Sequence, residues 1–251
     1  MDAIVAALAA QQEELTRLLH DLGADGWRQP SPCEGWDVAD VVLHLAQTNE
    51  MSIASLEDRL TGWFEEIMAG LEPAGDVDEG AAAMVAKERG GPTDELLARW
   101  TDGARRLHDL LAADDPHRRV EWVAGRLSVM TLSTTRLAET WIHTGDVARA
   151  LGRSAATSDR LEHIARLAWR TLPYAFARAG REMNGPVAFE LTGPDGAEWT
   201  FRPDEPTSTI VRGDALDLCL VAARRVDPAD TALSAEGPDG TAVLEVVRTY
   251  A

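Results

Sequence analysis

Cysteine is scarce: Cys33 and Cys219 are the only two in 251 residues. Two thiols cannot build a disulfide scaffold, and a reducing cytoplasm is the setting they suit. Long apolar runs are missing as well. No stretch approaches the roughly 18 residues that a membrane-crossing helix needs. The opening, Met1-Asp-Ala-Ile-Val-Ala-Ala-Leu, lacks a basic segment and runs into Gln11-Gln-Glu-Glu, so no export signal is read. No internal repeat or low-complexity tract is evident. Lysine is rare while alanine, arginine and aspartate are plentiful, the bias of a high-GC genome.

Positive charge is in deficit. Lys and Arg total 24 against 42 Asp and Glu, which leaves a net charge of −18 and a pI near 4.6. Such a surface repels phosphate backbones and anionic lipid, so neither nucleic acid nor membrane is expected as a partner. A small molecule is expected instead, bound by a monomer or a homodimer. What is present is globular: 45% hydrophobic and 26% charged residues. The length suits one large domain or two ordinary ones.

Apolar spacing predicts a first helix over residues 2–22, with Gly23 as its stop. A breaker-rich loop follows, Gly26-Trp27-Arg-Gln-Pro30-Ser-Pro32-Cys33-Glu-Gly35. Asp37 is a good N-cap for a second helix, with Trp36 and Val41 at the two positions of a hydrophobic staple. That helix is expected to run to about Glu66 with a weak point at Gly62. Val41, His44, Leu45, Thr48 and Met51 share a stripe, which turns His44 inward. Residues 70–92 read as an acidic loop with a short helix near 81–88. Thr93 is expected to cap a third helix, 94–113, and Ser128 a fourth that ends near Leu151. A fifth is expected from Thr157 or Ser158 to Gly180, kinked at Pro173.

Past residue 183 the pattern shortens to alternating runs at 187–191, 198–201 and 209–212. Gly193-Pro-Asp-Gly196 marks a hairpin turn between the first two. A helix over 214–223, a strand over 231–235 and a last helix over 241–250 follow. The fold class is therefore α+β. A mainly α bundle is expected over residues 1–182 and a small α+β domain over 183–251.

Chemistry concentrates in Arg136-Leu-Ala-Glu139-Thr-Trp141-Ile-His143-Thr-Gly-Asp146. Glu139 and His143 are four residues apart, so a helix stacks them on one face. His44 comes from another helix, and two imidazoles with one carboxylate match a catalytic zinc set that keeps an open position. Asp146, one turn past His143, is placed to orient it. Arg136, one turn before Glu139, is placed to hold that carboxylate. The competing reading is a core histidine bonded to a glutamate with no metal. Cys33 is read as a packing residue, with a reactive thiol or fourth ligand as the alternative. His163 reads as partly exposed or hydrogen-bonded, and His20, His108 and His117 as surface residues. Trp36 and Trp141 are placed to wall a pocket.

Two segments carry a resemblance, Trp27 through Leu45 and Thr135 through Gly152. They look like the two hallmark blocks of the mycothiol-dependent maleylpyruvate isomerase family, part of the DinB-like metal-binding superfamily of actinobacteria. The run Arg212-Gly-Asp-Ala-Leu-Asp217-Leu-Cys-Leu-Val-Ala-Ala-Arg-Arg225 is similar to the family's second domain, a small module like sterol carrier protein. The resemblance implies a DinB-type four-helix bundle, a divalent metal (usually zinc) on His44, Glu139 and His143, and mycothiol as thiol cosubstrate. It also implies an arginine lining the site after the C-terminal helix; Arg225 matches, with Arg224 nearly as good.

A cation-bound thiol gives up its proton, and the thiolate can add to an activated alkene. Rotation and expulsion give isomerisation; a lasting adduct gives S-transfer. A thiol-independent metal enzyme and a non-catalytic small-ligand binder are the alternatives. Residues 50–92 offer only Arg59, Lys87 and Arg89 to a dianionic substrate.

Overall fold

A computed structural model describes residues 1–72, 74–123 and 125–249. The chain divides into two compact units, Met1–Ala155 and Ala156–Ala251. The fold class is α+β.

In the first unit four long helices form the bundle: α1 (Asp2–Leu19), α3 (Val38–Leu56), α6 (Thr93–Ala113) and α7 (Val129–Ala150). Helix α1 packs on α6 and α7, and α3 packs on the same two. The short helices α2 (Ala24–Trp27), α4 (Leu60–Ile67) and α5 (Val77–Glu88) fill the connections. A two-stranded ribbon, β1 (Arg119–Val120) with β2 (Leu127–Ser128), leads into α7.

The core follows the apolar stripes. Leu8, Leu15 and Leu19 of α1, Leu45 of α3, Leu107 and Leu111 of α6 and Leu132 and Leu137 of α7 are all fully buried. Each such side chain contributes about 1.5–3 kcal/mol by leaving water. Trp100 sits among Leu15, Leu19, Val38, Val41, Val42 and Leu45, and its indole Nε1 donates to Thr16 Oγ1 at 3.0 Å.

Helix α3, which carries His44, starts where the sequence places it. Asp37 accepts from the Asp40 amide at 3.0 Å, and the Asp40 carboxylate accepts from the Asp37 amide at 3.1 Å. Trp36 packs against the cluster that holds Val41, the contact expected of a staple. Asp37→Ala is expected to lower stability by about 1 kcal/mol, read as a fall in the urea midpoint at unchanged slope.

The end of α3 departs from expectation. The break comes at residues 57–59 rather than at Gly62, which lies inside α4. Asp58 takes φ +56°, and the Arg59 amide turns back to the Ala54 carbonyl. A short polar side chain tolerates the left-handed region, so an aspartate does here what a glycine was expected to do. Helix α5 starts earlier than expected because Asp76 accepts from the Glu79 amide. Thr93 is the first residue of α6 rather than its cap; Pro92 holds the cap position with no side-chain bond. Ser128 caps α7 by accepting from the Thr131 amide at 3.2 Å.

In the second unit, α8 (Leu161–Arg170) and α9 (Leu172–Arg178) precede β3 (Val187–Thr192), β4 (Glu198–Phe201) and β5 (Thr209–Asp214). Then come α10 (Ala215–Ala222), β6 (Ser234–Glu236) and α11 (Gly240–Val246). The sheet order is β4-β3-β5-β6, with β3 and β5 parallel and the outer pairs antiparallel. The β3–β4 turn closes with Gly196 at φ +77°. Asp214 caps α10, accepting from the Leu216 amide at 2.8 Å. The last helix stops at Val246, short of the expected 250; Tyr250 lies outside the described residues.

The expected boundary at 182/183 differs from this division. Residues 156–182 group with the sheet. Leu161, Ile164, Ala165, Leu167 and Ala168 form the buried face of α8, which packs on α10, β3 and β4. The Trp169 indole donates to the Val187 carbonyl at 2.8 Å. Pro173, expected to kink one helix, stands in the first turn of α9 after a break at Thr171, where its missing N–H costs nothing. Among the described residues no helix is long and apolar enough to cross a membrane.

Candidate metal centre

Helices α3 and α7 face each other and bring His44, Glu139 and His143 together. Glu139 Oε2 lies 3.5 Å from His143 Nε2 and 3.9 Å from His44 Nε2. One donor atom from each of the three falls within 4.8 Å of the others. The two imidazole rings meet edge to face with centroids 5.0 Å apart. The cluster is recessed but reachable: the Glu139 side chain is 24% exposed, while those of His44 and His143 are 11% and 10% exposed.

Asp146 Oδ2 lies 3.0 Å from His143 Nδ1. A carboxylate can only accept there, so Nδ1 carries a proton and Nε2 is the nitrogen turned towards Glu139 Oε2. Nε2 and the carboxylate oxygen then hold either a proton or a metal cation between them. Among the described residues Glu139 Oε2 is shielded from solvent and has no hydrogen-bond partner. Two ligands at ordinary zinc–nitrogen or zinc–oxygen lengths around a tetrahedral centre stand about 3.3 Å apart. The observed separations are too long for good hydrogen bonds and close to that spacing. These three residues fit a divalent cation.

Without a metal, a proton on His143 takes that place and the site holds an imidazolium beside a carboxylate. Burial pushes the Glu139 carboxyl up, but the neighbouring His143 and His44 outweigh it and hold it well below the usual carboxylate range. Burial opposes charge on His143, yet Asp146, Cys33 and Glu139 hold its value well above that of a free imidazole. Burial is the main cause of the lowered value of His44; Glu139 opposes it, and His143 and Arg136 add to it.

The loop before α3 supplies two further groups. The Ser31 amide donates to the Trp36 carbonyl and the Val38 amide to the Gln29 carbonyl, so the segment folds back on itself with Gly35 at φ +76°. Trp36 thereby stands 5.2 Å from the His44 ring, centroid to centroid, as a wall. Cys33 is set against the outer side of His143. Its thiol donates to Asp146 Oδ2 at 3.3 Å and lies 3.8 Å from His143 Nδ1. Sequence reasoning left Cys33 as a packing residue because the fold-back of residues 29–38 has no local apolar period to signal it. Cys219 is fully buried, and that burial pushes its thiol far up. Ellman's reagent is therefore expected to titrate one thiol in the folded protein and two in guanidinium; two fast thiols in the folded state would contradict this burial.

One other expectation comes out differently. Arg136 forms no ion pair with Glu139; its Nη2 donates to Thr48 Oγ1 on α3 at 2.8 Å. Arg225 belongs to the second unit, where it is half-buried just after α10 and its Nη1 donates to the Ala223 carbonyl at 2.9 Å. A cavity of about 580 Å³ between the start of α3 and the α5–α6 turn includes none of the three donors. Its three arginines are engaged, Arg28 by Asp37, Arg89 by Asp40 and Arg99 by Glu50 and Glu88.

The chain is thus a helical bundle with two imidazoles and a carboxylate on facing helices, followed by a small α/β unit. Comparison with known proteins makes this specific. Residues 8–148 match the model of the mycothiol maleylpyruvate isomerase N-terminal domain, and residues 164–243 match that of the same family's C-terminal domain. The chain belongs to the mycothiol maleylpyruvate isomerase family. The uncharacterized proteins Rv0036c and MT0041 of two Mycobacterium tuberculosis strains are each 33% identical to it over 250 residues, covering 98% of this chain and 95% of theirs. Among solved structures, the crystal structure of the mycothiol-dependent maleylpyruvate isomerase aligns at TM-score 0.63 with 17% identity. A histidine-to-alanine mutant of that enzyme aligns at 0.62 with 18% identity, and both alignments cover 95% of each chain. At such identity the likeness shows a shared fold.

Proposed function

We propose that this chain is a metal-dependent enzyme that uses a low-molecular-weight thiol, mycothiol, to isomerise a small electrophile or to join the thiol to it. Support comes from the family and from one observation above all: Glu139 Oε2 is buried, unpartnered and flanked by two imidazole nitrogens. His44, Glu139 and His143 hold the cation, for which the donor set favours zinc. A divalent cation there would stabilise the anionic form of an incoming thiol and leave a position for it.

The chain's own residues do the rest. Asp146 fixes the His143 tautomer by accepting from Nδ1. The Cys33 thiol donates to the same Asp146 oxygen and so restrains the carboxylate that orients the ring. Trp36 covers the His44 side and limits water. Arg225 is assigned to the thiol or the substrate from its place after α10. The reducing cytoplasm is the compartment this chemistry needs.

The test is metal analysis of protein purified without a histidine tag, followed by calorimetric titration with mycothiol. About one equivalent of metal and a saturable heat are expected, with Arg225→Ala keeping the metal and losing most of the heat. Absence of metal sinks the proposal. Metal without heat removes the thiol and leaves the thiol-independent enzyme.

A further inference from the structure

Arg136 is a buried cation with no acid bound to it. It lies on α7 one turn before Glu139 and is 1% exposed. Among the described residues its hydrogen bond is to the neutral hydroxyl of Thr48, and its Nε has no partner. Among the described residues it forms no ion pair. Arg89, Arg99, Arg118 and Arg212, all nearer the surface, each reach a carboxylate. Burying a guanidinium without a bonded counter-charge is costly, and a leucine or methionine would fill the same space without that cost.

Glu139, the candidate metal ligand, follows Arg136 by one turn on the same helix. Burial lowers the Arg136 value and the field of Glu139 raises it, while Arg136 in turn works against charge on His44. Counting the formal charges gives the consequence. Glu139 contributes one negative charge and Arg136 one positive, so together they contribute none. A divalent cation between the imidazoles then acts with its full charge on whatever enters the open position. Without Arg136, Glu139 would offset half of it.

We propose that Arg136 is a positioning residue that sets the charge of the three-donor site: it cancels Glu139, loosening the hold on the cation and strengthening the hold on an anionic guest. The inference rests on the metal reading of His44, Glu139 and His143 given above and extends it to the charge of the guest.

The two consequences have opposite signs, which separates this role from a structural one. Cobalt-loaded protein is titrated with a chelator, with 2-mercaptoethanol as an anion-forming probe and with imidazole as a neutral one, read by the cobalt absorption bands. For Arg136→Met, cobalt affinity is expected to rise about tenfold and 2-mercaptoethanol affinity to fall about tenfold, with imidazole changed by less than about twofold. Arg136→Lys should return both towards wild type. Thr48→Val, which keeps the charge and removes the hydrogen bond, should move neither by more than about threefold. If Arg136→Met does not fold, Arg136→Gln, which can still donate to Thr48, is read in its place. Parallel loss of cobalt and thiol affinity, or no change in either, overturns the inference while leaving the metal site standing. Failure of the wild type to take up cobalt overturns both.

Discussion

Replacing His143 by alanine is expected to lower metal affinity by more than about 100-fold while leaving the bundle folded. The size follows from what the ring does at both ends. Its Nε2 faces Glu139, and its Nδ1 is tied to Asp146, which also holds the Cys33 thiol. Loss of an outer partner alone typically weakens a metal site by about 10–100-fold. Asp146→Asn is expected in that lower range, and loss of the donor itself above it. The fold should survive because the ring lies at a recessed opening, with the side chain 10% exposed, rather than in the leucine core. Competition with a chromogenic chelator gives the affinity, and far-UV circular dichroism checks the helices. An alanine variant that holds metal as tightly as wild type would remove His143 from the site.

The second large effect is expected at Trp100. Its ring is fully buried, and its Nε1 is bonded to Thr16 across the α1–α6 contact. Trp100→Ala should cost about 3–5 kcal/mol from the cavity and the lost transfer energy. The unpaired Thr16 hydroxyl adds little, because it still donates to the Gln12 carbonyl at 2.9 Å. Against a typical domain stability of about 5–15 kcal/mol, that is enough to unfold a large fraction of the protein on mild heating. The same cluster holds Val38, Val41 and Leu45, which fix the roll of α3 and hence the direction of His44. Metal affinity should therefore fall with the urea midpoint in this variant, whereas in His143→Ala it falls alone. A Trp100→Ala midpoint within about 1 kcal/mol of wild type would contradict the packing described.

The elements that decide the site were mostly legible in the sequence. The stripe through His44 and the four-residue spacing of Glu139 and His143 are one-dimensional signals, and the structure sets those three side chains together on facing helices. Asp37 and Ser128 were legible for the same reason, since a cap acts within three residues. Illegible features depend on long-range partners. The Arg136 side chain turns across to Thr48 on another helix, which spacing along α7 does not encode. Cys33 reaches Asp146 only because residues 29–38 fold back. The periodicity of residues 161–168 shows that one helix face is buried, but not that it meets α10 and the sheet rather than the bundle. Asp58 hid the end of α3 because Gly62 was the more obvious breaker.

All of the chemistry rests on whether His44, Glu139 and His143 share one cation. Anomalous scattering at the zinc edge from crystals of zinc-loaded protein tests this directly. A single peak about 2.0–2.2 Å from His44 Nε2, Glu139 Oε2 and His143 Nε2 is the result expected. A peak on Cys33 and Asp146 instead, or a stoichiometric zinc with no density among the three donors, would contradict the account.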